Sequence, residues 1–223
     1  RSHSLYRCKF KGEAESKKKE KTMSKKVDKQ CIMLAAGLSS RMGKWKMMLP
    51  WGKGTILDSA LASALAFCDR VVLVTGFRGD ELAACYQDHP GVEVVFNPQY
   101  QDGMFSSVQC GVSHIRDSRF FLALGDMPEV TPGVYRRLWD NPDAESCLIP
   151  AYERGKGHPV LLPQRAISLI HRAPQGATLR DVIGQMAVRV IPVASQGIHW
   201  DVDTPQQYLE VARRCRKDQA AVG

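Results

Sequence analysis

The fold is decided by residues 31–46, which read CIMLAAGLSSRMGKWK. The first six letters form an apolar run of strand length, and small and polar residues follow directly. A loop at the end of a buried strand can point its backbone N–H groups into one concavity, which binds anions. Arg41 adds a two-pronged donor and Lys46 a point charge, so the segment predicts a site for a triphosphate or pyrophosphate group. A plain strand-to-helix turn with a solvated arginine and lysine is the alternative.

Two better-known phosphate loops are excluded by spacing. A Walker loop requires four residues between its glycines and a Ser or Thr after the lysine, whereas five residues separate Gly37 from Gly43, and Trp45 follows Lys44. The dinucleotide fingerprint G-x-G-x-x-G is also absent from this segment. A nicotinamide-dependent dehydrogenase is therefore disfavoured.

Outward from this loop, apolar runs of strand length alternate with stretches of helical period. The predicted strands are 31–36, 70–75, 92–96, 120–124, 147–150, 159–162 and 188–193, and the predicted helices are 55–67, 80–87, 104–115, 132–139 and 204–214. This alternation predicts one α/β domain over residues 30–216 with a doubly wound, mostly parallel sheet. In such a sheet the site lies at the carboxyl ends of the strands, where Gly37, Thr75, Asn97 and Asp126 occur.

Candidate metal-binding carboxylates occur in two further segments of the sequence. Asp126 follows an apolar strand in the sequence LGDMP, and Asp201 and Asp203 come just before the last predicted helix. Magnesium is usually held by one or two carboxylates together with phosphate oxygens and water, so Asp126 and one of the other two would suffice. A turn aspartate at 126 and a helix cap at 203 are the alternatives.

Composition and charge exclude several classes of protein. The chain has 223 residues, of which 44% are hydrophobic and 24% charged, so it is not a disordered or collagen-like chain. Residues 1–30 hold eleven Lys or Arg against four acids, which is +7 of the net charge of +8, so the remainder is nearly neutral and a nucleic-acid partner is disfavoured. We expect residues 1–29 to be a disordered basic leader, added artificially before Met23, with a basic targeting arm as the alternative, and residues 217–223 to be a flexible tail.

Location is predicted from two further observations. No apolar run approaches the roughly 20 residues needed to cross a bilayer, so no membrane association is expected. The seven cysteines are scattered without a C-x-x-C pair, which disfavours a disulfide framework and a thiolate metal site and favours a reducing, cytoplasmic location. Each cysteine is expected to fill the core.

Five motifs together resemble the molybdopterin nucleotidyltransferase family, and within it the molybdenum cofactor cytidylyltransferases with their MobA-like NTP transferase fold. The motifs are Leu34-Ala35-Ala36-Gly37 with Ser39-Ser40-Arg41-Met42-Gly43 and Lys46, Leu49-Pro50-Trp51, Gly125-Asp126-Met127-Pro128, Gly157-His158-Pro159 and Asp201-Val202-Asp203-Thr204-Pro205. They span nearly all of residues 30–214 in the family's order. No single motif is decisive.

The resemblance implies a Rossmann-like, three-layer nucleotidyltransferase fold that transfers CMP from CTP to a molybdopterin-type cofactor and releases pyrophosphate. It implies a catalytic set of Arg41, Lys46, Asp126 and Asp203, in which the two aspartates hold Mg²⁺. Further nucleotide contacts are implied for Ala35, Ala36, Gly37, Ser39, Thr75 and Ser107. By the same analogy, His158 lies near the cofactor substrate, although a packed or solvent-facing histidine is equally compatible with the sequence.

The choice of base and the rival functions also follow from the resemblance. The guanylyl branch reads Leu-Ala-Gly-Gly where this chain has Leu34-Ala35-Ala36-Gly37, which favours cytosine over guanine. The attacking group is already an anionic phosphate oxygen, so no general base is required.

The rival functions are a guanylyl- or sugar-phosphate nucleotidyltransferase and a non-catalytic molybdenum cofactor chaperone. A recipient molybdenum enzyme is a possible partner.

Overall fold

The computed structural model describes residues 28–39, 42–116, 118–153 and 155–220, with side chains described as far as residue 213. Its strands are β1 Gln30–Ala35, β2 Pro50–Trp51, β3 Gly54–Thr55, β4 Arg70–Thr75, β5 Val92–Phe96, β6 Phe120–Leu124, β7 Cys147–Tyr152, β8 Gly155–Lys156, β9 Val160–Leu162 and β10 Val188–Pro192. Its α-helices are α1 Ile56–Leu65, α2 Gly79–Tyr86, α3 Met104–Val112, α4 Pro132–Trp139, α5 Ala166–Arg172, α6 Leu179–Ile183 and α7 Pro205–Ala220. Short 3₁₀ helices occupy Lys46–Met48, Tyr100–Asp102 and Gln196–His199.

The central sheet has the strand order β10-β7-β9-β6-β1-β4-β5, with β8 paired to β7. The pairs β1–β4, β1–β6, β4–β5 and β7–β10 are parallel, whereas β9 runs antiparallel to both of its neighbours. Because β9 is reversed, its first residue, and not its last, lies at the edge where β6 ends. The predicted doubly wound, mostly parallel α/β sheet is confirmed.

Helices cover both faces of this sheet and produce three layers. Along β1, Cys31, Met33 and Ala35 pack into a cluster with α1, α2 and α4. The alternate residues Ile32 and Leu34 pack into a second cluster with α3, α5 and α6. Burial on both faces explains why the central strands are apolar at successive positions.

The predicted elements are all present, with ends that differ by a few residues, while α5, α6, β8 and the β2–β3 hairpin add to them. Thr55 caps α1, since its hydroxyl accepts from the backbone N–H of Asp58 at 3.1 Å in a reciprocal capping box. At the start of α7, the Thr204 hydroxyl accepts from the backbone N–H of Gln207 at 3.2 Å. Apart from residues 28–29 and 217–220, the predicted leader and tail lie outside the described residues.

The described part of the chain also bears on the expectations about membrane-spanning helices and about the cysteines. The helices there include none that combines the length and the apolar character needed to cross a membrane. The cysteines at 31, 68, 85, 110 and 147 are free thiols. Burial raises the pKa of the Cys147 thiol to about 12, which fits a residue that fills the core.

Candidate active site

The predicted anion loop leaves the carboxyl end of β1 and turns sharply at Ser39. Ser39 adopts a left-handed backbone conformation with φ of 54°. Its hydroxyl accepts from the backbone N–H of Lys46 at 3.3 Å, and its carbonyl accepts from the N–H of Met42 at 3.0 Å. These bonds close the loop on itself and fix where the side chain of Lys46 begins. Ser40 and the predicted triphosphate ligand Arg41 lie outside the described residues.

Asp126 is placed by a close approach of β6 to β1. Gly125 donates its N–H to the carbonyl of Leu34 at 2.9 Å, and a Cβ at this position would lie 3.0 Å from the Leu57 side chain and 3.1 Å from that same carbonyl. Only glycine fits this contact without displacing a neighbour. The next residue, Asp126, is therefore delivered to the end of the loop, where it is 8% exposed.

Asp201 and Asp203 are placed by the residue between them. Val202 is fully buried in a small cluster with Trp51 and α7, and its N–H donates to the carbonyl of Asp126 at 3.0 Å. Asp201 and Asp203 flank this buried residue, and both line the cleft beside Asp126.

Lys46 joins the two predicted metal ligands. Its ammonium group lies 2.5 Å from Oδ2 of Asp126 and 2.7 Å from Oδ1 of Asp203. Burial alone would lower the pKa of Lys46, but the two carboxylates outweigh it and raise the pKa above its ordinary value. The lysine is therefore charged, and it balances part of the negative charge of the acids.

A divalent cation fits the donor atoms of this group. The second oxygen of Asp126, Oδ1, is buried and has no hydrogen-bond partner among the described residues. A buried carboxylate oxygen without a partner is costly unless a ligand satisfies it. In the described part of the chain no three His, Cys, Asp or Glu side chains form a metal cluster, but two carboxylates with phosphate oxygens and water meet the needs of Mg²⁺.

Burial and the negative charge of the acids both act on the pKa values of two neighbouring groups, Asp201 and His158. Burial, together with Asp203 and Asp126, raises the pKa of Asp201. Burial lowers the pKa of His158, although the Leu122 carbonyl and the nearby carboxylates oppose that shift. The imidazole of His158 is consequently neutral near pH 7, and its Nδ1 is buried without a hydrogen-bond partner in the described structure.

The loop and the acidic group line one cleft of about 420 Å³. Among the predicted site residues, those that line the cleft are Ala36, Gly37, Ser39, Lys46, Ser107, Asp126 and Asp203. Ala35, Thr75 and His158 do not line it. Thr75 is 1% exposed and its hydroxyl donates to the carbonyl of Val95 at 3.3 Å, so it belongs to the packed end of β4.

The cleft also contains residues that sequence reasoning did not select. Tyr100, Gln101 and Met104 also line it, and Met104 is 62% exposed. The 3₁₀ turn at Tyr100–Asp102 and the start of α3 bring them there. Their common signal in the sequence is their position just after the end of β5.

A doubly wound sheet that carries a glycine loop, a buried lysine and paired acids at its carboxyl edge is typical of α/β enzymes that handle nucleotides. The sequence model of one protein family, described as "MobA-like NTP transferase domain", matches residues 31–190. The chain therefore belongs to the MobA-like NTP transferase family and is a nucleotidyltransferase.

Individual relatives agree with this assignment. The molybdenum cofactor cytidylyltransferase of Escherichia coli K12 is 36% identical over 184 residues, which is 82% of this chain and 95% of that protein. A probable molybdenum cofactor guanylyltransferase of Methanosarcina mazei is 26% identical over 150 residues, covering 65% of this chain and 67% of that protein. Crystal structures of Rv0371c from Mycobacterium tuberculosis H37Rv, the second described as a complex with manganese, match with TM-scores of 0.72 and 0.69. Their identities are 26% and 25%, and each alignment covers 84% of this chain and 99% of the other.

Proposed function

We propose that this chain catalyses the Mg²⁺-dependent transfer of CMP from CTP to a molybdopterin-type cofactor, forming the cytosine dinucleotide cofactor and pyrophosphate. One observation carries the proposal: Lys46, Asp126 and Asp203 meet in one group that lines the same cleft as the glycine loop. The more similar curated relative is a cytidylyltransferase, and its similarity extends over more of the chain than that of the guanylyl relative.

The protein's task in this reaction is to bring two anions together. The attacking oxygen belongs to the terminal phosphate of the pterin cofactor and the electrophile is the α-phosphorus of CTP. The bond from that phosphorus to the bridging oxygen of the pyrophosphate breaks as the new P–O bond forms. Because the nucleophile already carries negative charge, positioning and charge compensation account for the catalysis, and no side chain has to remove a proton.

Each part of the cleft has a role in that task. The loop around Gly37 offers backbone N–H groups to the triphosphate, and Lys46 supplies a positive charge beside it. Asp126 and Asp203 would hold Mg²⁺, which, when bound, offsets the repulsion between the two phosphates. The manganese complex of the mycobacterial relative supports a divalent cation in this fold. His158 lies outside the lining of the cleft, and because it is neutral it is suited to contact the cofactor substrate without adding charge.

The decisive experiment mixes the purified protein with Mg²⁺, molybdenum cofactor and each nucleoside triphosphate in turn, and measures the pyrophosphate released and the mass of the dinucleotide product. We expect turnover with CTP and the cytosine product. The Asp126→Asn variant should be slower by at least about a hundredfold. Asp88→Asn, a change at an exposed position, is the matched control. Preference for GTP, or full activity of Asp126→Asn at saturating Mg²⁺, would overturn the proposal.

A further inference from the structure

Asn97, the residue after β5, is the centre of a buried hydrogen-bond group. Its side chain is 2% exposed. Its Oδ1 accepts from the backbone N–H of Gln99 at 2.9 Å, and its Nδ2 donates to the hydroxyls of Ser106 at 2.9 Å and Ser107 at 3.0 Å. Since a backbone N–H can only donate, the oxygen must face Gln99 and both amide hydrogens must face the serines.

The two serines use their hydroxyl groups differently. Ser106 accepts from Asn97 and lies 2.8 Å from each of two carbonyls, of Gln99 and Gly103, so its own proton has an acceptor inside the protein. Ser107 also accepts from Asn97, but among the described residues no acceptor is found for its hydroxyl proton. Ser107 lines the cleft, whereas Ser106 does not.

From this difference we infer that Asn97 is a positioning residue for the nucleotide, because it makes the hydroxyl of Ser107 a donor toward the cleft. A hydroxyl that already accepts a hydrogen bond from a fixed amide turns its proton to the remaining free side. The ligand atom opposite must then be an acceptor, and cytosine offers its carbonyl oxygen O2 and its ring nitrogen N3. The inference rests on the proposed function for the identity of that base.

The Asn97→Asp substitution reverses the donor without changing the shape of the side chain. A carboxylate at position 97 accepts from Ser107, so the hydroxyl proton turns away from the cleft and the nucleotide meets an acceptor instead. A neutral hydrogen bond is worth a few-fold to about tenfold in an equilibrium constant. We therefore expect CTP affinity to fall about fivefold, and the loss to appear in the dissociation constant much more than in kcat.

The test measures the CTP dissociation constant by titration calorimetry, and kcat by pyrophosphate release. It compares the wild type, Asn97→Asp, Ser107→Ala, the double variant and Ser106→Ala. We expect Asn97→Asp and Ser107→Ala each to weaken binding of CTP and of cytidine, a nucleoside without phosphate charge, and the double variant to bind cytidine no more weakly than Ser107→Ala. Ser106→Ala loses the matching bond from Asn97 and should bind CTP as the wild type does.

Two results would overturn the inference. One is a further fivefold loss of cytidine affinity when Asn97→Asp is added to Ser107→Ala, since Asn97 would then act independently of that hydroxyl. The other is equal weakening by Ser106→Ala and Ser107→Ala, which indicates a structural role alone and is decisive even if Asn97→Asp does not fold. If the wild type binds GTP and not CTP, the proposed function fails, and the same five proteins are compared with GTP. If it binds neither nucleotide, both proposals fail.

Discussion

Replacing Lys46 by methionine should measure how much of the local stability depends on its charge. Methionine keeps the apolar stem, but the ammonium shared by Asp126 and Asp203 is lost. Breaking a buried ion pair costs about 3–5 kcal/mol. The two carboxylate side chains retain 12% and 17% exposure, so water relieves part of the cost and we expect the lower end, about 3 kcal/mol.

For a domain of this size, that loss corresponds to a fall in Tm of about 6–12 °C. Thermal unfolding followed by circular dichroism in the presence of EDTA measures it, with Lys53→Met at an exposed turn as the control. Added Mn²⁺ should restore more stability to Lys46→Met than to the wild type, because a cation and the ammonium compete for the same oxygens. A Tm within about 2 °C of the wild type, or equal effects of Mn²⁺ on both proteins, would refute this reasoning.

Three further predictions concern the scaffold. Thr55→Ala removes the capping box of α1 and should lower the free energy of unfolding by about 1 kcal/mol in urea titrations, with an unchanged midpoint as the contrary result. Gly111→Ala should cost about 1–3 kcal/mol, because the new Cβ would lie 2.6 Å from Ile32 and 2.9 Å from Val74, whereas Gly133→Ala meets no atom closer than 3.7 Å and should be tolerated; equal effects would contradict the packing. Although burial alone would raise it, hydrogen bonds from Arg70 and His114 hold the pKa of Glu93 below its ordinary value. Glu93 thus stabilises the fold above about pH 4.3, and this contribution is lost as the pH falls through the lowered pKa, so Glu93→Gln should flatten the acid side of the stability profile in urea titrations at a series of pH values.

Much of the fold could be predicted because its strands are buried on both faces. Runs such as Val71 to Val74 are apolar without interruption, which marks them as central strands. The helices α5 and α6 have only seven and five residues, too few to show a helical period. The strands β2 and β3 have two residues each and show no alternation. Tertiary contacts determine these short elements, and one chain's sequence does not display such contacts.

The site was predictable only as far as the ends of the strands. That rule brought the glycine loop and Asp126 to one edge of the sheet. It could not show that Lys46 contacts acids 80 and 157 residues away, because spacing along the chain carries no such distance. The same rule selected Thr75, which is buried and does not line the cleft. It also placed Asn97 at a strand end, but it could not reveal the hydrogen bonds of Asn97 to Ser106 and Ser107.

The backbone N–H of Val202 donates to the carbonyl of Asp126, so a main-chain hydrogen bond joins the two segments that carry the acids. This hydrogen bond uses no carboxylate oxygen. Either acid can therefore be replaced by a neutral side chain of similar size while this bond is kept. A lineage built on this scaffold can give up turnover and still inherit a pocket shaped for the same ligands.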